Sequence, residues 1–118
     1  VNIADLARLY SVTYASVLPS FIETFSAVYP ESFCTGTPVI TTDAEFAHEV
    51  CHDAAIYIDP HSFKSIADAI NRLIEDKKEY NILIKKGKKR HKEMLTPQQK
   101  YQKYMSVLNQ FLTQNQIK

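Results

Sequence analysis

The chain has 118 residues, 45% of them hydrophobic and 23% charged, with a formal net charge of +1. This is the composition of one globular domain with a modest core, and it excludes a disordered chain. No apolar run approaches the roughly 20 residues that cross a bilayer and no signal peptide opens the sequence, so the chain reads as cytoplasmic.

The small net charge conceals two unlike halves. Residues 1–63 hold eight acids and one base, Arg8, a balance of −7; residues 64–118 hold thirteen bases and five acids, a balance of +8. An anionic ligand of the first half therefore needs something other than that half's own side-chain charge. Cys34 and Cys51 sit among apolar or small residues and read as buried thiols in a reducing compartment. The chain opens on Val1, almost inside an amphipathic pattern, as a piece of a longer protein would.

Ile3, Leu6, Ala7 and Tyr10 recur at helical spacing and predict a helix over residues 3–12. The run YASVLPS is short, apolar and partly β-branched, and Pro19 bounds it: a buried strand. Residues 27–34 carry a mixed helical pattern that ends near Gly36, a C-terminal cap. PVITT is a second buried strand, Asp43 then caps a helix running to about Cys51, and AAIYID is a third strand closed by Asp59 and Pro60.

From Ser62 the period becomes helical for good. Ser62 caps a stripe of Phe63, Ile66, Ala67, Ile70, Leu73 and Ile74. A further helix is expected over 78–95, interrupted at Gly87. Thr96, Pro97 and Gln99 supply a cap, a first-turn proline and the third-position amide of a capping box. The last helix carries Tyr101, Tyr104, Met105, Leu108, Phe111 and Leu112. Strands alternating with helices imply parallel βαβ units, a Rossmann-like α/β sheet with helices on both faces. In such sheets a ligand lies beyond the carboxyl ends of the strands, where the strand order reverses. The stretch PSFIETFSAVYPE, residues 19–31, leaves the first strand at that end and carries two carboxylates, Glu23 and Glu31.

Ten positions in register now mark a family. Pro19, Ser20, Glu23, Phe25, Glu31, Gly36, Pro38, Val39, Ile40 and Asp43 resemble the C-terminal donor-binding domain of retaining GT-B glycosyltransferases, the glycogen-synthase and sucrose-synthase-like group. The likeness covers about residues 3–90 and implies a half-domain of that fold over residues 1–95. Residues 96–118 would then form a helix packing on this domain or on an N-terminal domain that is not in these residues. It implies transfer of a sugar from a nucleotide-sugar donor to a glycan or lipid-linked acceptor, with retention and without a required metal or other cofactor, in polysaccharide assembly. In that group the donor phosphate assists the acceptor's attack. Carried over residue by residue, Glu23 is the catalytic-site carboxylate against the sugar and Glu31 takes the ribose hydroxyls. Ser20, Thr24, Phe25, Ser26 and Ala27 line the donor, the amides of Ser26 and Ala27 serving the diphosphate. Free amides and a positive dipole end suit a helix amino terminus to that task.

Thr24 and Ser26 stand where the family commonly has glycine. Pro30 cannot sit inside a helix beginning at Ser26, so the first regular turn is expected near Val28 or Tyr29. The family's Arg and Lys that face the diphosphate come from earlier in the domain, outside these residues, so the segment alone is not expected to turn over substrate. A rival reading is a non-catalytic α/β module that kept the fold and lost the chemistry. His48 and His52 would need a third ligand on the same face, and the family places a plain helix here, so His48, Cys51 and His52 read as ordinary helix residues. Glu49 matches a family glutamate with a local structural or site-supporting role. The basic run 85–92, opened by Lys85 and closed by Lys92, has no aromatic platform or recognition helix, which argues against nucleic acid. Two uses stay open for it: a solvated helix face, and peripheral contact with an anionic surface at the inner face of the membrane.

Overall fold

The computed structural model describes residues 2–115. Val1, residues 116–118 and the side chains of Ile3, Ala4 and Asn115 lie outside the described residues; with them fall the Ile3 part of the first stripe and the end of the 96–118 segment. The elements run α1 (Ile3–Val12), β1 (Ser16–Leu18), α2 (Val28–Thr35), β2 (Val39–Thr42), α3 (Glu45–Cys51), β3 (Ala55–Ile58), α4 (Phe63–Glu75), α5 (Lys77–Glu93) and α6 (Pro97–Asn115). The strands form one parallel sheet in the order β1-β2-β3, with Val17 opposite Ile40 and Ile40 opposite Ile56. This is the α/β arrangement the alternation predicts, although the order does not reverse among these three strands. β1 pairs with β2 alone among the described residues, which leaves its other edge open.

Every residue of β2 is buried, so the strand must be apolar or internally satisfied on both faces. Successive side chains alternate across it. Ile40 joins Ile56, Ile58, Ala69, Leu73 and Leu83 under α4 and α5. Val39 joins Tyr29, Phe33, Cys51 and Ala54 under α2 and α3. Tyr14 closes the first cluster at the β1 edge, stacking on Tyr80 at 4.6 Å and donating its hydroxyl to the Leu73 carbonyl.

Local signals set most boundaries. Gly36 adopts φ 78°, a left-handed value open to glycine, and its amide and that of Thr37 both donate to the Ser32 carbonyl, ending α2. Ser62 accepts from the Ser65 amide at 3.1 Å to start α4. At α6 the capping box is complete: Thr96 Oγ1 accepts from the Gln99 amide, and Gln99 Oε1 accepts from the Thr96 amide.

Five expectations are corrected. Asp43 does not cap α3, whose N-cap is Ala44 with no side-chain bond. Its amide is taken by the Ile58 carbonyl, and its carboxylate lies 2.6 Å from His48 Nε2, whose ring stacks on Tyr57. Gly87 does not interrupt α5. It is buried in the middle of an unbroken helix, and a Cβ there would come within 2.8 Å of Phe33 Cδ1. α5 begins at Lys77, where Asp76 accepts from the Lys78 and Glu79 amides and caps it, and ends at Glu93, two residues earlier than expected. The stripe of α4 is narrower than expected: Leu73 is buried beside Ala69, and Ile66 and Ile70 pack against the same cluster, whereas Phe63 is 87% exposed and Ala67 and Ile74 also face solvent. Cys34 is exposed; only Cys51 is a buried thiol, and both are free. The residues Tyr101, Tyr104, Met105, Leu108, Phe111 and Leu112 of α6 are all exposed.

Gly87 therefore sets how closely α5 lies on α2. Replacing it by valine puts branched carbon into the Phe33 ring, and the expected cost is about 2–3 kcal/mol in urea unfolding at unchanged m value. Burial pushes the Cys51 thiol from 9.0 up to about 12, with the nearby Arg90 opposing the rise. The unfolded chain then releases a proton between those values that the folded chain keeps, so stability falls as pH climbs through that window. Urea titrations at several pH values from 8 to 11 are expected to show that decline. Cys51→Ala is expected to make it shallower.

Candidate functional site

The loop leaving β1 is pinned before it reaches its carboxylates. Thr41 Oγ1 donates to the Leu18 carbonyl at 3.2 Å, and Thr42 Oγ1 donates to the Ser20 carbonyl at 2.7 Å. Both hydroxyls come from the carboxyl end of β2, so the loop is held at the strand ends rather than draped over a face. Thr41 Oγ1 also lies 2.8 Å from the Tyr29 hydroxyl, which belongs to α2. Phe21 then turns outward, with its ring 4.6 Å from that of His61 in the loop after β3.

α2 begins at Val28, where Pro30 requires it to begin. Proline there is the third helical residue, one of the positions whose amide has no partner inside a helix. Ala27, the N-cap, has helical angles and no side-chain acceptor. Ser26 substitutes in part: its Oγ accepts from the Val28 amide at 3.4 Å and its carbonyl from the Tyr29 amide at 3.3 Å. The amides of Ser26 and Ala27 themselves have no acceptor among the described residues.

Glu31 lies in the first turn of α2, where the dipole favours a negative charge. Its Oε2 accepts from the Tyr10 hydroxyl of α1 at 2.9 Å. Burial raises the Tyr10 pKa, and the hydrogen bond and charge of Glu31 add to the rise. Glu23 is half-buried in the loop. Burial likewise raises the Tyr29 pKa, the hydrogen bond with Thr41 opposes the rise, and the charges of Cys51 and Glu23 add to it. Ser20 is held through its carbonyl, Ser26 is buried, and Thr24, Phe25 and Ala27 are exposed. Glu31 is thus held against α1, while Glu23 stays on the loop between β1 and α2.

The bases that the first half lacks arrive from the second. A cleft of about 780 Å³ separates Thr24, Phe25 and Pro30 from the end of α5 and the start of α6, which contribute Arg90, Lys92 and Lys100. Lys100 Nζ stands 5.0 Å above the Phe25 ring. Arg90 is already engaged, donating to the Val50 and Glu49 carbonyls at the end of α3. Glu49 lines the same cleft. Sequence reasoning missed Tyr10 as the partner of Glu31, and Tyr29, Thr41 and Thr42 as the groups that hold the loop. Two threonines in an otherwise apolar buried strand were the one signal for the last pair.

A Rossmann-like α/β sheet with a pinned, acid-bearing loop at its strand ends places the chain in the α/β class with a parallel sheet. The chain belongs to the family of glycosyl transferases group 1, whose model matches residues 1–90. It is 38% identical over 73 residues to the O-antigen chain mannosyltransferase of Salmonella typhimurium, covering 62% of this chain and 21% of that protein. It is 34% identical over 79 residues to the sucrose-phosphate synthase of Spinacia oleracea, covering 64% of this chain and 8% of the synthase. Among solved structures, the sucrose-phosphate synthase of Thermosynechococcus elongatus superposes with a TM-score of 0.84 at 23% identity, over 96% of this chain and 29% of that one. That last match establishes the shared fold. The chain spans about a fifth of the mannosyltransferase it matches.

Proposed function

We propose that this chain is part of the nucleotide-sugar-binding domain of a retaining glycosyltransferase that works on a glycan or lipid-linked acceptor in polysaccharide assembly. The observation that carries the reading is the pair of carboxylates flanking the start of α2, at the strand ends of a chain belonging to this family. In it Glu23 meets the sugar, the Ser26 and Ala27 amides meet the diphosphate, and Glu31 meets the ribose. Ser20, Thr24 and Phe25 line the path between them. Tyr10 holds one oxygen of Glu31 and leaves the other to a sugar hydroxyl. Residues 1–95 form the donor side, and the helix after Thr96 carries its exposed apolar side chains toward an N-terminal domain.

The test uses the full-length protein and isothermal titration with UDP-glucose, GDP-mannose, UDP and GDP. One nucleotide series is expected to bind. Glu31→Gln is expected to weaken both the nucleotide-sugar and the bare nucleotide by about tenfold, the loss of one charged hydrogen bond. Glu23→Gln is expected to spare the bare nucleotide and remove most turnover. Unchanged binding in the Glu31 variant together with unchanged turnover in the Glu23 variant would refute the assignment.

The protein is read as cytoplasmic, with its basic run facing the inner leaflet. No helix among the described residues is long and apolar enough to cross a membrane. Within the run, Lys86 pairs with Asp53, and Lys89 and Arg90 pair with Glu93. Lys85, Lys88 and Lys92 have no ion pair among the described residues and are the cations available to anionic lipid. Sedimentation with vesicles containing phosphatidylglycerol is expected to carry the protein down at low salt. Replacing those three lysines by glutamine should abolish that; equal sedimentation of the variant would remove the membrane role.

A further inference from the structure

Tyr29 sits on α2 between the two glutamates, with its ring in the core at 1% exposure. Phenylalanine would fill the same volume, so packing leaves the hydroxyl unexplained. That hydroxyl lies 2.8 Å from Thr41 Oγ1, and Thr41 donates onward to the Leu18 carbonyl at 3.2 Å. A threonine hydroxyl carries one proton; with it given to Leu18, Tyr29 is the donor to Thr41. The chain of bonds therefore runs from α2 through β2 to the last residue of β1. Two residues further on, the Ser20 carbonyl is gripped by Thr42. Glu23 follows three residues after that grip, short enough for its height above the sheet to be set by it.

We propose that Tyr29 and Thr41 are positioning residues for Glu23, fixing the loop so that its carboxylate meets the sugar, not the nucleotide, of the bound donor. The proposal rests on the reading of Glu23 given above. Displacing a reacting group by a fraction of an ångström to an ångström costs up to about a hundredfold in rate. Removal of the hydroxyl should therefore strike turnover and sugar recognition while leaving the nucleotide's own contacts alone.

The experiment uses the full-length protein as Tyr29→Phe, Thr41→Val, Thr41→Ser and Glu23→Gln variants, each checked by thermal melting. Two quantities are read: kcat for donor hydrolysis, and the ratio of affinities for the nucleotide-sugar and its bare nucleoside diphosphate. Hydrolysis is followed as water attacks the anomeric carbon and the nucleoside diphosphate leaves. UDP-glucose with UDP, or GDP-mannose with GDP, serves as the probe pair, whichever the parent protein binds. Tyr29→Phe and Thr41→Val are expected to lower kcat by about tenfold or more and to flatten the ratio, with affinity for the bare diphosphate held within about twofold. Thr41→Ser, which keeps the hydroxyl, is expected to restore both. Wild-type kcat and ratio in Tyr29→Phe would overturn the proposal. So would parallel loss of bare-diphosphate affinity, which marks general damage, or a serine variant as poor as the valine. If Glu23→Gln keeps kcat and ratio, the reading of Glu23 fails and the proposal with it; if Glu23→Gln loses them and Tyr29→Phe does not, only the proposal fails.

Discussion

Four consecutive residues, Val39 to Thr42, are enclosed on both faces of the sheet, and everything else in the molecule is arranged around satisfying them. The first two are solved by apolar contact, one side chain to each layer of helices. The last two are threonines, and a buried hydroxyl without a partner is costly. Their partners are the carbonyls of Leu18 and Ser20 and the hydroxyl of Tyr29. The strand that completes the core therefore also fastens the loop that carries the first glutamate. Stability and site geometry share the same two residues.

What was legible in the sequence was local or strictly periodic. The Ser62 cap, the Gly36 ending and the Thr96 to Gln99 box each involve groups a few residues apart, and the structure forms all three. The late start of α2 followed from Pro30 alone. What failed depended on residues far away in the chain. Asp43 has the right chemistry for a cap, but β3 claims its amide and His48 its carboxylate. Gly87 reads as a break until Phe33, fifty-four positions earlier, is known to need its space. The width of the α4 stripe was misjudged because apolar residues occupy more of the helix than the sheet can cover, leaving Phe63 outside.

The candidate site divides in the same manner. The spacing of the two glutamates, and the residues between them, could be read directly. So could the depth of Glu31 in its helix, because Pro30 keeps regular turns from beginning before Val28. The approach of Lys92 and Lys100 was foreshadowed only by the charge imbalance between the halves. An acidic half and a basic half within one small domain are complementary: Lys86 reaches Asp53, and Arg90 binds the end of α3. The charge asymmetry is in this respect partly a property of the fold's own assembly rather than of any ligand.

The contact of Gly87 with Phe33 has an evolutionary consequence. Because the spacing of two helices is set by a hydrogen atom meeting an aromatic edge, neither position can drift alone. A bulkier residue on the later helix becomes tolerable once the ring opposite has shrunk, and a smaller residue opposite leaves a void until the glycine has grown. Related chains are expected to conserve the summed volume of that pair more faithfully than the identity of either member.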